Sequence, residues 1–410
     1  MQTLAAALAA HREHRFAAAR DGYVAALRVV PALADALHML GVVHLQTGEP
    51  ARAVALLLRA AEAFDWNVPA VRHNLRLALA ALLADPSVAH PWATWLAYRE
   101  AVDARRRRAR PFAGRISVVV PAFNHAQWVG EALDSLATQT RPPDEIVVVD
   151  DGSTDGTAER IRAALSRCPG RPRFVSRSNR GAAATINEGV ALTSGDYVNV
   201  LNSDDRFPPT RLATMAEHVA GCGAAWGFSR ATCIGASGEP VAPGTAERCD
   251  AIAALIDEVG AAASVGLAFL SANPAVSSGS LFFARTLHER LGGFADLRYN
   301  HDWDFCLRAS LLAEPVFVAR AEYDYRLHDA NTITGAGVAA AAEAARLFER
   351  FHAAAAGTAA PGQPFAPVPG VWGAAYWLRL LQGGQPGLLP PDVLRACAKA
   401  ATRIAAGIAA

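Results

Sequence analysis

The stretch VNVLNSDDRFPP, residues 198–209, places two adjacent carboxylates, Asp204 and Asp205, directly after an apolar run that is typical of a buried strand. The chain as a whole is 52% hydrophobic and 19% charged, so acidic residues at the end of a core strand need an explanation. An unpaired buried carboxylate costs roughly several kcal/mol or becomes neutral through a shifted pKa. We therefore expect partner groups or a ligand that compensate these two charges.

The composition of the 410-residue chain excludes several classes of partner. Lys plus Arg total 39 and Asp plus Glu total 38, a formal net charge of +1, so no global field recruits nucleic acid or an anionic membrane. The six cysteines are scattered singly, without zinc-finger spacing, which favours a reduced setting. The N-terminus lacks a secretory pattern, and the most apolar later window is too short to span a bilayer. We expect a cytoplasmic protein, with peripheral contact at the inner membrane face left open.

The first part of the chain, residues 1–108, carries Ala and Leu at helical spacing, and the pattern recurs after 34 residues. LGVVHLQTGEPARAVALLLRAAEAFD, residues 40–65, predicts two helices joined by a turn and resembles the tetratricopeptide repeat. Two repeats, a third first helix at 68–81 and a capping helix fit this pattern. Plain helical hairpins that form a lid or a dimer surface are the alternative. Because stacked repeats usually present a concave surface to a peptide, a protein partner is a hypothesis.

A basic linker, residues 109–115, follows the helical region. Six arginines fall in the window 105–115. Such a run is usually a solvated flank, and contact with phosphate or an anionic surface is the alternative.

From Ile116 onward, apolar runs alternate with helical patterns. ISVVVPAF (116–123) and EIVVVD (145–150) are continuous apolar runs, typical of strands that are covered on both faces, and a helical pattern follows each of them. RFVSRS (173–178) and the stretch around residues 196–202 predict two more strands. Strand and helix alternation of this length predicts right-handed crossovers and an α/β fold, a mostly parallel sheet with helices on both faces.

Polar clusters follow three of the predicted strands: Phe123-Asn124, Asp150-Asp151 and residues 202–205. In open sheets of this kind, ligands bind beyond the carboxyl ends of the strands. Magnesium and manganese prefer oxygen ligands, and a diphosphate needs its charge neutralised. A nucleotide diphosphate with a divalent cation satisfies both requirements. The alternative is that the two aspartates of the opening stretch only cap the next helix.

Four motifs, in a fixed order, now support a resemblance. They are VVVPAFNHAQWVGEALDSLATQT (118–140), EIVVVDDGSTDGT (145–157), NRGAAATINEGVALTSGDYVNVLNSDD (179–205) and GGFADLRYNHDWDFCLRA (292–309). Together they make the segment 116–335 resemble a family 2 glycosyltransferase of the GT-A fold. The resemblance implies an inverting, metal-dependent transferase of the hexosyltransferase type. A C-terminal helical extension would then cover residues 336–410.

The resemblance implies a nucleotide site at the first two strand ends. Pro121 and Phe123 fall where the family's first strand meets the base, and the ring of Phe123 can stack on it. Asp151, with Asp150 beside it, matches the acidic pair whose carboxylate accepts a base N–H.

Two further positions match the loop and helix that border the nucleotide and its sugar. Arg180 lies in the loop and Asn187 in the helix of the matching motif. An arginine beside a diphosphate is electrostatically reasonable.

The metal site implied by the resemblance is the DXD position, which NSD (202–204) occupies here. Asn202 replaces the first aspartate, which removes one charge. The resemblance implies Mn²⁺ or Mg²⁺ held by Asp204, with Asp205 helping through water or a sugar hydroxyl. His328 would ligate the metal or contact phosphate, and Arg326 would pair with the phosphate.

Asp302 in YNHDWDFCLRA matches the acidic residue that the family uses as catalytic base, and His301 stands where Glu is usual. An inverting transfer needs one carboxylate to take the proton of the acceptor hydroxyl. Asp304 and Arg308 fall one turn along the predicted helix, where orienting roles are expected. An N-cap role for Asp302 is the alternative, and both can hold. The stretch VSSGSLFF, 276–283, predicts a loop near the acceptor.

Three functions compete at this stage. The first is a glycosyltransferase with a UDP-, dTDP- or GDP-sugar donor and a glycan, lipid-linked or protein acceptor, without a nucleic acid partner. A sugar nucleotidylyltransferase would carry a Gly-rich loop after the first strand, which VVVPAFNHAQ lacks. A non-catalytic adaptor with a degenerate transferase body has only Asn202 in its favour. A Rossmann dehydrogenase is excluded because no GxGxxG follows the first strand.

Overall fold

The computed structural model of the protein describes residues 2–64, 68–83, 92–242, 244–262, 264–329, 331, 337–356, 362–372, 376–377 and 379–380. The chain divides into two compact units, one formed by residues 1–92 and 372–410 and the other by residues 93–371. Among the described residues, no helix combines the length and the apolar character that crossing a membrane requires.

The described N-terminal part of the first unit is helical, as the Ala and Leu pattern predicts. Its helices are α1 (Gln2–Arg12), α2 (Phe16–Val29), α3 (Ala34–Gln46), α4 (Pro50–Ala63) and α5 (Pro69–Leu83). Consecutive helices pack on each other, and α3 also contacts α5. Tyr23, Leu40 and Leu56 are fully buried between them. The helical character is confirmed, and the assignment to tetratricopeptide repeats stays a prediction.

Helix α6 (Trp92–Arg107) corresponds to the predicted capping helix, and from Ala93 on it belongs to the second unit. The hydroxyl of Tyr98 accepts the N–H of Val265 at 3.3 Å, and Arg105 Nη1 donates to the carbonyl oxygen of Glu314 at 3.4 Å. The domain boundaries predicted at 108, 115 and 335 stay predictions. The part of the predicted C-terminal extension from residue 381 on lies outside the described residues.

The second unit is built on one seven-stranded sheet. Its strands are β1 (Ile116–Ala122), β2 (Glu145–Asp150), β3 (Arg171–Ser176), β4 (Tyr197–Val200), β5 (Trp226–Ile234), β6 (Leu281–Ala284) and β7 (Val316–Arg326). The strand order is β3-β2-β1-β4-β6-β5-β7, and only the pairings of β6 with β4 and β5 are antiparallel. The predicted mostly parallel sheet is confirmed.

Helices connect and cover these strands. They are α7 (Val129–Ala137), α8 (Thr157–Leu165), α9 (Ala182–Ala191), α10 (Arg211–Met215), which runs into a π-helical turn at Ala216–Ala220, α11 (Glu247–Ala261), α12 (Val265–Ala268), α13 (Arg285–Leu291), α14 (His301–Leu312), α15 (Gly337–Ala356) and α16 (Pro369–Trp372). Val118 and Ile146 share one core with Leu133 of α7 and Ile161 of α8. Val119 points to the opposite face, where α9 packs on β1. Alternate residues of the strand therefore pack against the two layers of helices on opposite faces of the sheet.

The loop predicted at 276–283 is wrong in its second half. A 3₁₀ turn at Ser278–Ser280 leads directly into β6, which pairs with β4 and β5. Because β6 is central and covered on both faces, Leu281, Phe282 and Phe283 are all fully buried. The serines before it made the stretch look like a surface loop.

Two helical glycines test the packing of this unit. A Cβ on Gly189 of α9 would lie 2.3 Å from Val119 Cγ1, whereas a Cβ on Gly130 of α7 would meet no atom within 4 Å. We expect Gly189→Ala to lower the free energy of unfolding by about 1–3 kcal/mol through overpacking. Gly130→Ala should be neutral or stabilise by up to about 1 kcal/mol, because alanine favours helix. Urea unfolding of both variants checks this, and equal effects would contradict it.

Candidate active site

The loops that follow β1 and β2 are tied to each other. Asn124 adopts a left-handed φ of 53°. Its N–H donates to Ser153 Oγ at 2.9 Å, and its Oδ1 accepts the N–H of Thr154 at 2.9 Å. Directly before this clasp, Phe123 is 43% exposed, and Pro121, within β1, is half-buried. The Phe123 ring is therefore available for contact at the carboxyl edge of the sheet.

Asp150 ends β2 in a buried position and holds the neighbouring loops. Its Oδ1 accepts the N–H of Ser153 at 3.2 Å, and its Oδ2 accepts the hydroxyl of Ser176 at 2.7 Å. Gly152 follows with a φ of +80°, and a Cβ there would lie 2.9 Å from the backbone nitrogen of Asn179. The loops after β2 and β3 thus approach so closely that position 152 requires glycine.

Asp151 fixes the loop after β3. Its Oδ1 accepts the N–H of Arg180 at 2.8 Å, its Oδ2 accepts the N–H of Gly181 at 2.9 Å, and Arg177 pairs with it. Arg177 also donates to Glu188 at 2.7 Å. The side chain of Arg180 remains 63% exposed. By binding the backbone N–H of Arg180, Asp151 therefore fixes a residue whose exposed guanidinium lies at the same edge of the sheet as Phe123. The contact of Asp151 with a base stays a prediction.

Asn187 anchors a turn of the chain. Its Nδ2 donates to the carbonyl oxygen of Phe294 at 2.8 Å, while its Oδ1 accepts the N–H of Phe294 at 2.8 Å and Nε2–H of His288 at 2.9 Å. Burial lowers the pKa of His288 to about 4, so this ring is neutral. The amide of Asn187 thereby holds the turn that leads toward α14.

The opening stretch separates its two carboxylates. Asp205 turns into the protein, where its Oδ1 accepts the N–H of Arg326 at 2.8 Å, and its Oδ2 contacts the Tyr323 hydroxyl and accepts from Asn202 Nδ2 at 3.2 Å. Burial, together with the charge of Asp204, raises the pKa of Asp205 well above its usual range. Both oxygens of Asp205 are engaged with protein groups.

Asn202 joins the strand end to the segment before β6. Its Nδ2 donates to Ser277 Oγ at 2.8 Å, and its Oδ1 accepts from Ser278 Oγ at 3.1 Å. An aspartate at 202 would place a carboxylate against Asp205 where the amide now donates. The asparagine at the DXD position is therefore explained by its neighbours, because a further buried negative charge would be costly here.

Asp204 lies between two histidines. His328 Nε2 is 3.0 Å and His125 Nε2 is 3.8 Å from Asp204 Oδ2. Burial alone would raise the pKa of Asp204, but the hydrogen bond from His328 and the nearby His125 hold it below its usual range. One side-chain ligand atom of each residue lies within 4.8 Å of the others. We call Asp204, His125 and His328 the acidic-histidine cluster.

The two imidazoles of the cluster are held in place by neighbours. His125 Nδ1 is 2.8 Å from Ser203 Oγ, and burial lowers the pKa of His125, so the ring is neutral near pH 7. His328 stacks on Trp128 with ring centroids 4.0 Å apart. Trp128 is fixed by its Nε1, which donates to the carbonyl oxygen of Ala236 at 2.9 Å.

The donor set of the cluster fits a divalent ion. Neutral imidazole and carboxylate are both ligands of first-row divalent metals; imidazole suits Zn²⁺ better than Mg²⁺, and carboxylate suits Mn²⁺ and Mg²⁺. Hydrogen bonds that orient a ligating histidine, as Ser203 orients His125, are typical of metal sites. Asp204 and His328 were singled out in the sequence, whereas His125 and Trp128 were missed. The signal that could have identified His125 is its position directly after Phe123-Asn124, at a strand end.

Asp302 lies in the first turn of α14 and is buried. Its Oδ2 accepts from Asn273 Nδ2 at 3.2 Å, and its Oδ1 accepts the N–H of Trp303 at 2.8 Å. Burial raises the pKa of Asp302 above its usual range. Because Asn273 belongs to the same short segment as Ser277, this segment links Asp302 to Asn202.

Three predicted charged residues have internal partners. Arg308 donates to Asp304 at 2.7 Å and to the carbonyl oxygen of Leu291 at 2.8 Å, as expected for an orienting pair. The predicted contact of Arg326 with phosphate is wrong. Its guanidinium is fully buried and donates to the Asp204 carbonyl oxygen at 2.6 Å and to Glu131 at 2.6 Å.

Residues 117–237 match the glycosyl transferase family 2 domain. An uncharacterized glycosyltransferase of Nostoc sp. is 33% identical over 103 residues, which cover 25% of this chain and 32% of that protein. Glycosyltransferase GlyA of Streptococcus pneumoniae is 41% identical over 105 residues, 26% of this chain and 15% of that protein. The chain thus spans a third or less of the length of these relatives. The resemblance to family 2 glycosyltransferases is confirmed over the matched segment.

The fold agrees with a solved structure, that of S. aureus TarS 1-349 in complex with UDP-GlcNAc. The TM-score is 0.50 at 16% sequence identity, and the match covers 72% of this chain and 90% of that one. At this identity, the likeness concerns the fold alone. Together with the sheet order and the helical first unit, it confirms the predicted GT-A fold class.

The two adjacent aspartates should respond differently to removal. We expect Asp205→Ala to lower the free energy of unfolding by about 2–4 kcal/mol, because the Arg326 N–H and the Tyr323 hydroxyl lose a buried acceptor. Asp204→Ala should stay within about 1 kcal/mol, because it also removes a largely desolvated charge. Urea denaturation measures both changes, and the reverse order would contradict the separation of the two carboxylates.

Proposed function

We propose that this protein is an inverting glycosyltransferase that moves a sugar from a nucleotide-diphosphate sugar to an acceptor hydroxyl. The observation that carries the proposal is Asp204 at the carboxyl end of β4, flanked by His125 and His328. This is the edge at which open α/β sheets bind ligands. The match of residues 117–237 to family 2 supports the reaction class.

The donor would lie along the ends of β1, β2 and β4. Phe123 offers an exposed ring for the base, and Arg180 an exposed guanidinium for the diphosphate. The acidic-histidine cluster would hold a divalent metal, Mn²⁺ in the first place, with Asp205 supporting the strand end from inside rather than ligating. When bound, such a metal neutralises charge on the leaving diphosphate. TarS, which shares the fold, is solved with UDP-GlcNAc, so a nucleotide-sugar donor is compatible with this architecture.

Asp302 would act as the general base. Its carboxylate takes the proton of the acceptor hydroxyl while that oxygen forms the bond to the anomeric carbon. The bond from this carbon to the diphosphate oxygen breaks on the opposite side, and its electron pair leaves with the nucleotide diphosphate. Burial, which raises the pKa of Asp302, makes its carboxylate a stronger base than an exposed aspartate.

The acceptor would be a glycan, a lipid-linked sugar or a protein. The helical first unit supports a role in binding that acceptor or a protein partner, as repeat-like helices commonly present binding surfaces. The donor base would be uracil, thymine or guanine, each of which offers N–H groups at its edge.

Donor class and metal are tested together by thermal shift. We expect one of UDP, GDP, dTDP and CDP to raise the melting temperature in the presence of Mn²⁺, because a ligand of the native state stabilises by mass action. The shift should disappear with EDTA and in His125→Ala or His328→Ala, which should also bind Mn²⁺ more weakly in a calorimetric titration. No shift with any nucleotide would contradict the proposal and favour the adaptor function.

The role of Asp302 is tested by Asp302→Asn. We expect nucleotide binding to stay near the wild-type value and turnover to fall by about 10²-fold or more, the scale of a lost general base. Because the base must be ionised, the wild-type rate should fall as pH decreases through the raised pKa of Asp302, and the variant should lose this limb. A variant with unchanged turnover and the same pH profile would remove Asp302 from the mechanism.

A further inference from the structure

Glu343 of α15 binds the backbone just before α14. Its Oε2 accepts the N–H of Arg298 at 2.9 Å, and its Oε1 accepts the N–H groups of Tyr299 at 2.9 Å and Asn300 at 2.8 Å. The side-chain amide of Asn300 also donates to Oε1 at 3.1 Å and to the carbonyl oxygen of Ala340 at 3.0 Å. One carboxylate thus gathers three consecutive backbone N–H groups.

This carboxylate is ionised. Burial alone would raise the pKa of Glu343, but the N–H donors of residues 298–300 hold it below its usual range. Hydrogen bonds to an ionised acceptor are about twice as strong as neutral ones. In the described part of the chain, Glu343 supplies the side-chain acceptor for these three N–H groups, so the conformation of residues 298–300 depends on it.

The held segment leads directly into the proposed base. Asn300 is the N-cap residue of α14, and Asp302 follows two residues later. Among the described residues, the carboxylate of Asp302 accepts only two hydrogen bonds from other residues, from Asn273 and from the Trp303 N–H. On the other side, the turn at 293–294 is held by Asn187 and Arg308. The position of the Asp302 carboxylate is therefore set by the backbone that Glu343 and these residues fix.

We propose that Glu343 is a positioning residue for Asp302, and that α15, outside the segment matched to family 2, is part of the catalytic unit. This inference rests on the proposed function. Displacement of a catalytic group by about 1 Å can lower a rate by about 10²-fold without affecting distant binding contacts. Loss of Glu343 should therefore affect turnover, while the donor site at the ends of β1, β2 and β4 stays formed.

The alternative is that Glu343 only docks α15 onto the unit. The chain offers matched controls for it. Leu347 lies one turn along α15 and is 2% exposed, so Leu347→Ala weakens the packing of the helix and leaves the carboxylate of Glu343 in place. Glu349 is exposed on the same helix, and Glu349→Ala controls for the loss of a negative charge.

The experiment measures hydrolysis of the nucleotide sugar with water as acceptor, as release of nucleotide diphosphate, on the full chain. We expect Glu343→Ala to lower kcat by about 10- to 100-fold, with KM for the donor and Kd for the nucleotide within about twofold of wild type. The acid limb of the pH profile should be retained at a lower plateau. Glu343→Gln should recover part of kcat, because its amide oxygen still accepts from Tyr299 and Asn300. Leu347→Ala and Glu349→Ala should keep kcat per folded molecule.

Asp302→Asn, measured alongside, distinguishes a failure of the positioning role of Glu343 from a failure of the base role of Asp302. A reduced rate in Asp302→Asn with a wild-type rate in Glu343→Ala overturns the positioning role alone. An equal loss in Leu347→Ala and Glu343→Ala overturns it too, because docking of α15 then explains the effect. A wild-type rate in Asp302→Asn removes Asp302 as the general base, and the positioning role fails with it, whereas no release of nucleotide diphosphate by the wild-type chain contradicts the proposed function.

Discussion

Two adjacent carboxylates cannot both remain charged and unpartnered in one buried place, and the chain resolves this conflict by turning them in opposite directions. Asp205 faces inward to Arg326 N and Tyr323, whereas Asp204 faces the histidines. These two partners of Asp205, Arg326 and Tyr323, belong to β7, which lies three places from β4 in the sheet. Next to them, the backbones of Arg206 and Asp324 form an isolated antiparallel β-bridge, and their side chains form an ion pair at 2.9 Å. The end of β4 is thus fastened to the end of β7.

This fastening brings His328 to Asp204. His328 follows β7 by two residues, and its backbone N–H donates to Asn331 Oδ1 at 2.9 Å, which fixes the turn. Asp205 therefore affects Asp204, because Asp205 anchors β7, and the segment after β7 places the imidazole of His328 beside Asp204. His125 arrives from the end of β1, which is a direct neighbour of β4 in the sheet. Two strand ends with different sequence signals thus meet at one carboxylate.

Sequence reasoning succeeded where a signal was local. The runs that predict β1 and β2 are continuous and apolar because both faces are covered, and Asp204 stands directly after another such run. It failed where the environment is formed by distant residues. Strand β7, VFVARAEYDYR, carries charged residues that pair with other elements, so its pattern does not indicate a strand. His125 likewise stands at a strand end in the sequence, but only the fold brings it beside His328, about half the chain away.

The asparagine at position 202 and the histidine at position 125 are best understood together. With asparagine at position 202, the end of β4 carries one carboxylate fewer than a motif with two aspartates would. The amide of Asn202 donates to Asp205 and Ser277. Asp204 is then left with two imidazoles, so the cluster carries a single negative charge when both rings are neutral. Such a set attracts hard cations by charge less than a pair of aspartates does, while its nitrogen atoms favour first-row transition ions. In the proposed function, an asparagine at position 202 would therefore change the kind of metal that suits the acidic-histidine cluster rather than remove the candidate site.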